Sequence, residues 1–230
     1  MTGRTRNAAT GVVHVVEDDD VLADALQFLF ESRGLGSHRF RDAESYLDVA
    51  LGAGSTVTPA CLVLDVRMRA MSGIELFDRL CELDPERRIP VVFLTGHGDI
   101  GMAVEALKRG AFDFFEKPFS DNRLADRVIE ALAVSRARLQ AALRAADVRA
   151  RLERLSTRER DVMLLVLAGK RNKLIADALG ISMRTVEVHR ASVFAKMGVR
   201  SAVELALLPG SPTQGLRVSS APERSEGESR

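Results

Sequence analysis

Two cysteines in 230 residues, Cys61 and Cys81, are too few and too poorly spaced for a disulfide framework or a zinc site, and both sit in apolar periodic segments. They read as reduced core residues of a cytosolic protein. No apolar run approaches the roughly 18 residues of a membrane-crossing helix, and the start of the chain lacks the apolar stretch of a secretion signal. The sequence therefore points to the cytoplasm, with no membrane partner. Net charge is nearly absent too, at +1, and the composition has neither a collagenous or mucin-like bias nor that of a wholly disordered chain. At roughly 100 to 200 residues per domain, the length allows one large domain or two small ones, either able to bury a core.

The small net charge hides a split. Residues 11–120 carry 11 Lys and Arg against 19 Asp and Glu, a balance of −8, whereas residues 156–208 carry 9 against 5, a balance of +4. An acidic first part and a basic second part predict two domains with different partners, the basic one suited to nucleic acid through its field.

Val12 to Val16 is a β-branched run that stops at Glu17, Asp18, Asp19 and Asp20, the pattern of a buried strand ending in a charged loop. A helix follows, with Val21, Leu22, Ala25, Leu26, Leu29 and Phe30 at helical spacing and Gly34 as its stop. The cycle repeats at 36–40, 60–64, 90–94 and 112–115, each strand leading into a helix. Five such units predict a doubly wound α/β fold with a five-stranded parallel, flavodoxin-like sheet, since parallel strands need helical crossovers and are apolar on both faces. In such folds polar chemistry collects at the C-terminal ends of the strands.

Those ends hold the unusual residues: Glu17 and Asp18 after the first strand, Asp65 after the third, Thr95 after the fourth and Lys117 after the fifth. Three converging carboxylates cannot all stay ionised without a cation, because like charges raise one another's pKa. Oxygen-only ligands suit Mg²⁺, which takes one or two carboxylates and bridges to phosphate, and a lysine and a hydroxyl nearby suit phosphoryl oxygens. The plainer alternative is an acidic loop with a structural lysine salt bridge.

The segments VVEDDD, LVLDVRM with MSGIELF, VVFLTGHGD and GAFDFFEKPF cover essentially all of residues 11–120, and together they resemble a two-component response-regulator receiver. The resemblance implies Asp65 as phosphoacceptor, Glu17, Asp18, Asp65 and the Arg67 carbonyl as Mg²⁺ ligands, and Thr95 and Lys117 as holders of the phosphoryl group. Phe114 takes the place of the aromatic switch residue, although it is one of four phenylalanines between 112 and 119 and reads equally as core. Two departures stand out: Glu17 replaces the usual Asp, and Arg69 replaces the usual Pro beside the phosphorylation site. The implied partner is a sensor histidine kinase. Such a chain accepts a phosphoryl group and can lose it by autodephosphorylation, but is not a metabolic enzyme.

Residues 121–155, rich in Ala, Arg and Leu with no Gly or Pro, predict the last receiver helix and a linker helix. The stripe Leu124, Val128, Leu132, Leu139, Leu143, Leu152, Leu155 fits a weak dimer seam or a solvated amphipathic linker equally well. Ser156 and Glu159 then form a capping-box pattern, and three short helices follow, with a glycine turn at 180–182 before the third, Met183 to Met197. This predicts a small all-α helix-turn-helix domain at 156–208. On the third helix Val186, Val193 and Met197 share a core face, and Val188 lies nearly opposite, near Arg184, Thr185 and Glu187. An exposed valine suits a thymine methyl and Glu187 a cytosine amine; Lys173, Arg184, Arg190 and Lys196 suit phosphates. The bland reading of these charges is a solvated helix surface, and of His189 a half-buried, hydrogen-bonded side chain. Residues 1–10 and 209–230 read as a flexible start and a disordered tail.

The run from Leu155 through TVEVHR to residue 208 resembles the LuxR-type output domain, and the whole arrangement is most similar to the FixJ subfamily of response regulators. That implies a homodimer formed on phosphorylation, a double-stranded DNA operator and RNA polymerase as further partners. A phosphorylation-independent interaction module and a Mg²⁺ phosphohydrolase are the rival readings.

Overall fold

The computed structural model describes residues 11–52, 58–96 and 100–210. The expected flexible start at 1–10, and the expected tail beyond residue 210, lie outside the described residues. The chain forms two compact units, residues 1–141 and 142–230.

The first unit alternates strand and helix: β1 (Val12–Val16), α1 (Asp20–Ser32), β2 (Gly36–Phe40), α2 (Ala43–Gly52), β3 (Ala60–Asp65), α3 (Gly73–Leu83), β4 (Val91–Thr95), α4 (Ile100–Lys108) and β5 (Asp113–Glu116). Helix α5 (Asp121–Glu153) follows, and the division between the units falls inside it. All strand pairs are parallel, in the order β2-β1-β3-β4-β5. The expected sheet is therefore present, with β4 starting one residue later than the pattern suggested. Pro90 has no N–H to give the ladder, and its carbonyl instead accepts from the Leu62 N–H at 2.9 Å.

Because strand side chains alternate between faces, the apolar runs of β1, β3 and β4 serve two cores at once. Val13, Val15, Cys61, Val63, Val92 and Leu94 face a core shared with α1 and α5, where Leu26, Phe30, Leu124, Val128 and Leu132 are buried. Val16, Leu62, Leu64, Val91 and Phe93 face the opposite core with Tyr46, Leu76, Phe77 and Ala106 of α2, α3 and α4. Each fully buried Leu or Phe contributes about 1.5–3 kcal/mol relative to exposure, so β3 and β4, buried at every position, anchor the sheet.

The second unit holds α6 (Thr157–Leu167), α7 (Asn172–Leu179), α8 (Met183–Met197) and α9 (Ala202–Ala206). The Ser156–Glu159 capping box is formed, with both reciprocal hydrogen bonds present. Gly180 and Gly198 adopt left-handed conformations (φ +64° and +68°) that close α7 and α8, as glycine permits without a Cβ penalty.

The α5 stripe follows neither of the two readings left open. Leu124, Val128 and Leu132 are fully buried in the first unit's core, Leu139 is buried, and Leu152 and Leu155 pack in the second unit's core with Val148, Val193 and Met197. Only Leu143, 54% exposed, remains on the surface. The stripe is spent on the two cores and leaves no continuous dimer seam.

Candidate functional site

The parallel sheet brings the ends of β1, β3, β4 and β5 to one rim. Glu17 follows β1 and is 1% exposed; Asp65 ends β3 at 6%; Thr95 ends β4 fully buried; Lys117 follows β5. The Lys117 Nζ lies 2.9 Å from Glu17 Oε2 and 3.2 Å from Asp65 Oδ1. Asp18, exposed beside them, completes a group of three carboxylates whose oxygens lie within 4.8 Å of one another.

Electrostatics follow from that crowding. Burial pushes the Glu17 carboxyl above its ordinary value, Lys117 opposes this, and the Asp65 charge adds to it. Burial likewise raises Asp65, against Lys117 and against a hydrogen bond from the Arg67 N–H, while Asp18 adds a further upward push. The Lys117 ammonium is held above its usual range: burial works against it, and its bonds to Glu17 and Asp65 outweigh the burial.

This donor set fits a small divalent cation. All three side chains offer oxygen, the hard donor that Mg²⁺ prefers, and three carboxylates facing one ammonium leave an excess of negative charge that a dication offsets. The Arg67 N–H bond to Asp65 puts the main chain of Arg67 at the edge of the same pocket.

The remaining residues surround this centre. Thr95 Oγ1 donates to the Gly96 carbonyl at 3.3 Å, and the Thr95 carbonyl accepts from the Lys117 N–H at 2.8 Å. Phe114 is half-buried against the core of α2, α3 and α4. Arg69, the departure noted in the sequence, is 97% exposed at its side chain, with Nε 3.8 Å from Asp18 Oδ2. The Ser72–Glu75 capping box starts α3, and Gly73 passes so close to the Asp65 carbonyl that a Cβ there would collide with it. Gly73 thus has a packing role against the Asp65 backbone.

In the second unit, α8 presents the expected face. Val186, Val193 and Met197 are buried, while Val188 is 63% exposed and Arg184 and Glu187 are exposed with it. Thr185 is half-buried, sharing a 2.8 Å hydrogen bond with the Ser182 hydroxyl, and His189 is half-buried. Lys173 stands exposed on α7. Arg190 bonds Asn172 Oδ1 at 2.9 Å and stacks 5.6 Å from the Phe194 ring centre. Lys196 is placed differently from the other basic candidates: its Nζ lies 2.7 and 2.8 Å from the two carboxylate oxygens of Glu159 and 3.4 Å from the Arg154 carbonyl. Glu159, 5% exposed, also accepts from Ser192 Oγ at 2.6 Å, and Lys196, then Ser192 and the Ser156 N–H, pull its carboxyl down to about 2. Sequence reasoning saw Glu159 only as a capping residue. Its partners stand more than 30 positions away on α8, and no local pattern links them.

The Response regulator receiver domain model matches residues 13–129, and that of the Bacterial regulatory proteins, luxR family, matches residues 153–208. The C4-dicarboxylate transport transcriptional regulatory protein DctR of Rhodobacter capsulatus is 48% identical over 195 residues, covering 84% of this chain and 96% of that protein. The transcriptional regulatory protein FixJ of Bradyrhizobium diazoefficiens is 43% identical over 199 residues, covering 86% and 94%. Among solved structures, the response regulator StyR matches with a TM-score of 0.75 at 38% identity over 86% of this chain and 96% of that one. Full-length FixJ from B. japonicum matches with a TM-score of 0.52 at 42% identity over 87% and 97%. Among the described residues, no helix is long and apolar enough to cross a membrane.

Proposed function

Since the chain belongs to the response regulators that join a receiver domain to a LuxR-type DNA-binding domain, we propose that Asp65 accepts a phosphoryl group from a sensor histidine kinase, and that this event controls dimerisation and operator binding. The observation that carries the reading is the Lys117 ammonium between Glu17 and Asp65, with Asp18 completing the carboxylate group.

In this reading an Asp65 carboxylate oxygen forms a bond to phosphorus as the P–N bond to the kinase imidazole breaks, and the imidazole nitrogen keeps the electron pair. Glu17, Asp18, Asp65 and the Arg67 carbonyl hold Mg²⁺, which when bound offsets charge developing on the phosphoryl oxygens. Lys117 turns part of its hydrogen bonding from the carboxylates to a phosphoryl oxygen. Thr95, whose hydroxyl makes a long bond to the neighbouring carbonyl, swings towards another phosphoryl oxygen, and Phe114 moves into the space behind it. Water attack on the acyl phosphate returns Asp65 to its resting state.

Two receivers brought together place two copies of α8 on an operator with two half-sites, so that each weak contact raises the effective concentration of the other. Thr185, Glu187, Val188 and His189 face the bases, and Lys173, Arg184 and Arg190 the phosphates. Lys196 reaches DNA only by exchanging Glu159 for a phosphate, so its contribution is smaller than that of the freely exposed cations. The protein works in the cytoplasm and passes its signal to RNA polymerase.

The test is intact mass and light scattering of the wild type and Asp65→Asn, each with and without acetyl phosphate and Mg²⁺. A phosphoryl mass increment with a monomer-to-dimer shift, both lost in Asp65→Asn, is the expected result. No increment, or a dimer regardless of donor, overturns the reading.

A further inference from the structure

A cavity of about 410 Å³ opens at the end of the sheet opposite Asp65, where β4 and β5 begin, beneath α2 and α3. Well-packed interiors hold few voids larger than a water molecule, and a cavity of this size falls in the range of small-molecule sites. One part of its wall is apolar, from Tyr46 of α2, Phe77 and Leu80 of α3, Ile89, and Ala111 before β5, and the rest is polar, with His14, Asp84 and three arginines. Val49 and Leu83 at its border are each 49% exposed, large apolar side chains left in water where the cavity meets the surface.

The charges around it are not balanced. Asp84 is neutralised by Arg88, which donates to it from Nε at 2.9 Å and from its backbone N–H at 2.6 Å. Arg138 donates to the Arg87 carbonyl. The Arg87 guanidinium has no carboxylate partner among the described residues. Its residue adopts a left-handed backbone, φ +50°, uncommon outside glycine, and the side chain lies across Gly110, occupying the space a Cβ there would fill. Its charge is also felt at the Cys81 thiol in the same wall. An apolar body carrying a carboxylate suits a cavity where the fork-shaped Arg87 guanidinium lacks a carboxylate partner and the Arg138 guanidinium is bonded only to a carbonyl, because such a partner offsets the charge and fills the space together.

We infer that this cavity binds a small aromatic carboxylate, its carboxylate received by Arg87 and its ring packed on Tyr46, Phe77 and Leu80. The residues involved are separate from the phosphoacceptor pocket, so the inference does not depend on phosphorylation of Asp65.

The test is isothermal titration calorimetry of the full chain with 2-naphthoate and, as the uncharged match, naphthalene-2-carboxamide. One molecule of naphthoate per chain is expected to bind, with the carboxamide at least about tenfold weaker, the loss of a charge-assisted pair. Arg87→Gln is expected to narrow the difference between the two probes. Val49→Trp is expected to close the cavity and stop both, with Leu83→Trp as an independent block from α3. Asp65→Asn leaves binding unchanged. Circular dichroism melts establish that each variant is folded. No binding to the wild type, equal affinity for the two probes, or naphthoate binding unaltered in folded Val49→Trp and Leu83→Trp overturns the assignment.

Discussion

The Lys117 Nζ and Glu17 Oε2 stand 2.9 Å apart although 100 positions separate the two residues, so the end of β5 is tied to the end of β1 across β3 and β4. The same ammonium reaches Asp65, which makes it the only cation within salt-bridge distance of either buried carboxylate among the described residues. Asp65→Asn removes one charge from this crowd and leaves the Lys117–Glu17 pair intact. In a chelating buffer it is expected to stabilise the protein by roughly 1–2 kcal/mol, because sites built for a reaction hold charge at a cost to stability. Mg²⁺ is expected to raise the melting temperature of the wild type more than that of the variant. Differential scanning calorimetry with and without Mg²⁺ checks both.

Gly73 admits no side chain, since a Cβ there meets the Asp65 carbonyl oxygen and the Leu64 side chain. Gly73→Ala is expected to cost about 1–3 kcal/mol, the usual penalty of overpacking. It is also expected to shift the amide resonances of residues 65–67, whereas Gly34→Ala, at a glycine with open space around it, leaves them in place. Urea unfolding and a backbone NMR spectrum measure the two effects.

His14 points from β1 towards Tyr46, whose hydroxyl lies 3.4 Å from Nδ1, and burial, followed by the nearby His38 charge, lowers its pKa from 6.5 to about 4. A folded pKa below the unfolded one means that the unfolded chain binds more protons between those values. The stabilisation from a neutral His14 is therefore complete above about pH 6.5 and lost as pH falls towards 4, a contribution of up to about 3 kcal/mol. His14→Phe, in a setting already holding Phe40 and Tyr46, is expected to flatten that slope in urea titrations at pH 4.5, 5.5 and 7.

Glu159 joins the start of α6 to the end of α8. Glu159→Ala strands Lys196 and Ser192 and leaves the Ser156 N–H without its capping partner, and is expected to cost about 2 kcal/mol. With its folded pKa near 2, the stabilisation it supplies is present above its unfolded value and fades as pH falls below it. Faster amide hydrogen exchange at the C-terminal turns of α8 in the full-length variant is the measurement.

The exposed face of α8 separates two kinds of contact. Val188→Ala, at a side chain 63% exposed, is expected to leave stability within about 0.5 kcal/mol and to change preference at one base pair. Arg184→Ala is expected to weaken binding evenly across sequences and to lower the salt slope by about 1. Fluorescence anisotropy with a randomised operator set, repeated at several salt concentrations, distinguishes them.

The parallel sheet and the strand-end residues were legible because both depend on local pattern: apolar runs stop at Glu17, Asp65, Thr95 and Lys117, and parallel topology carries all four to one rim. The α8 faces were legible for the same reason, since helical spacing separates Val186 and Val193 from Val188. What depends on distant partners was not legible. Lys196 looked like a phosphate contact because Glu159, which holds it, stands 37 positions away. The α5 leucines suited a seam or a solvated linker equally because spacing shows a stripe without showing what meets it. The cavity near Arg87 draws its walls from five separate segments, and no one of them carries a signal.

Helix α8 is held at its C-terminal end by Val193, Met197 and the Lys196–Glu159 pair and nearer its start by Val186, which leaves the opposite face of residues 183–190 to reach outward. Eight residues at 1.5 Å each give a reading edge of about 12 Å, or three to four base pairs of B-form DNA. A word that short recurs by chance on the order of once in every hundred base pairs, so a lone copy faces an enormous number of equivalent addresses in any genome. In the proposed dimer two copies read a word twice as long, and the chance of a match at any one position is squared. The short lever of α8 makes pairing an informational requirement as well as an energetic one.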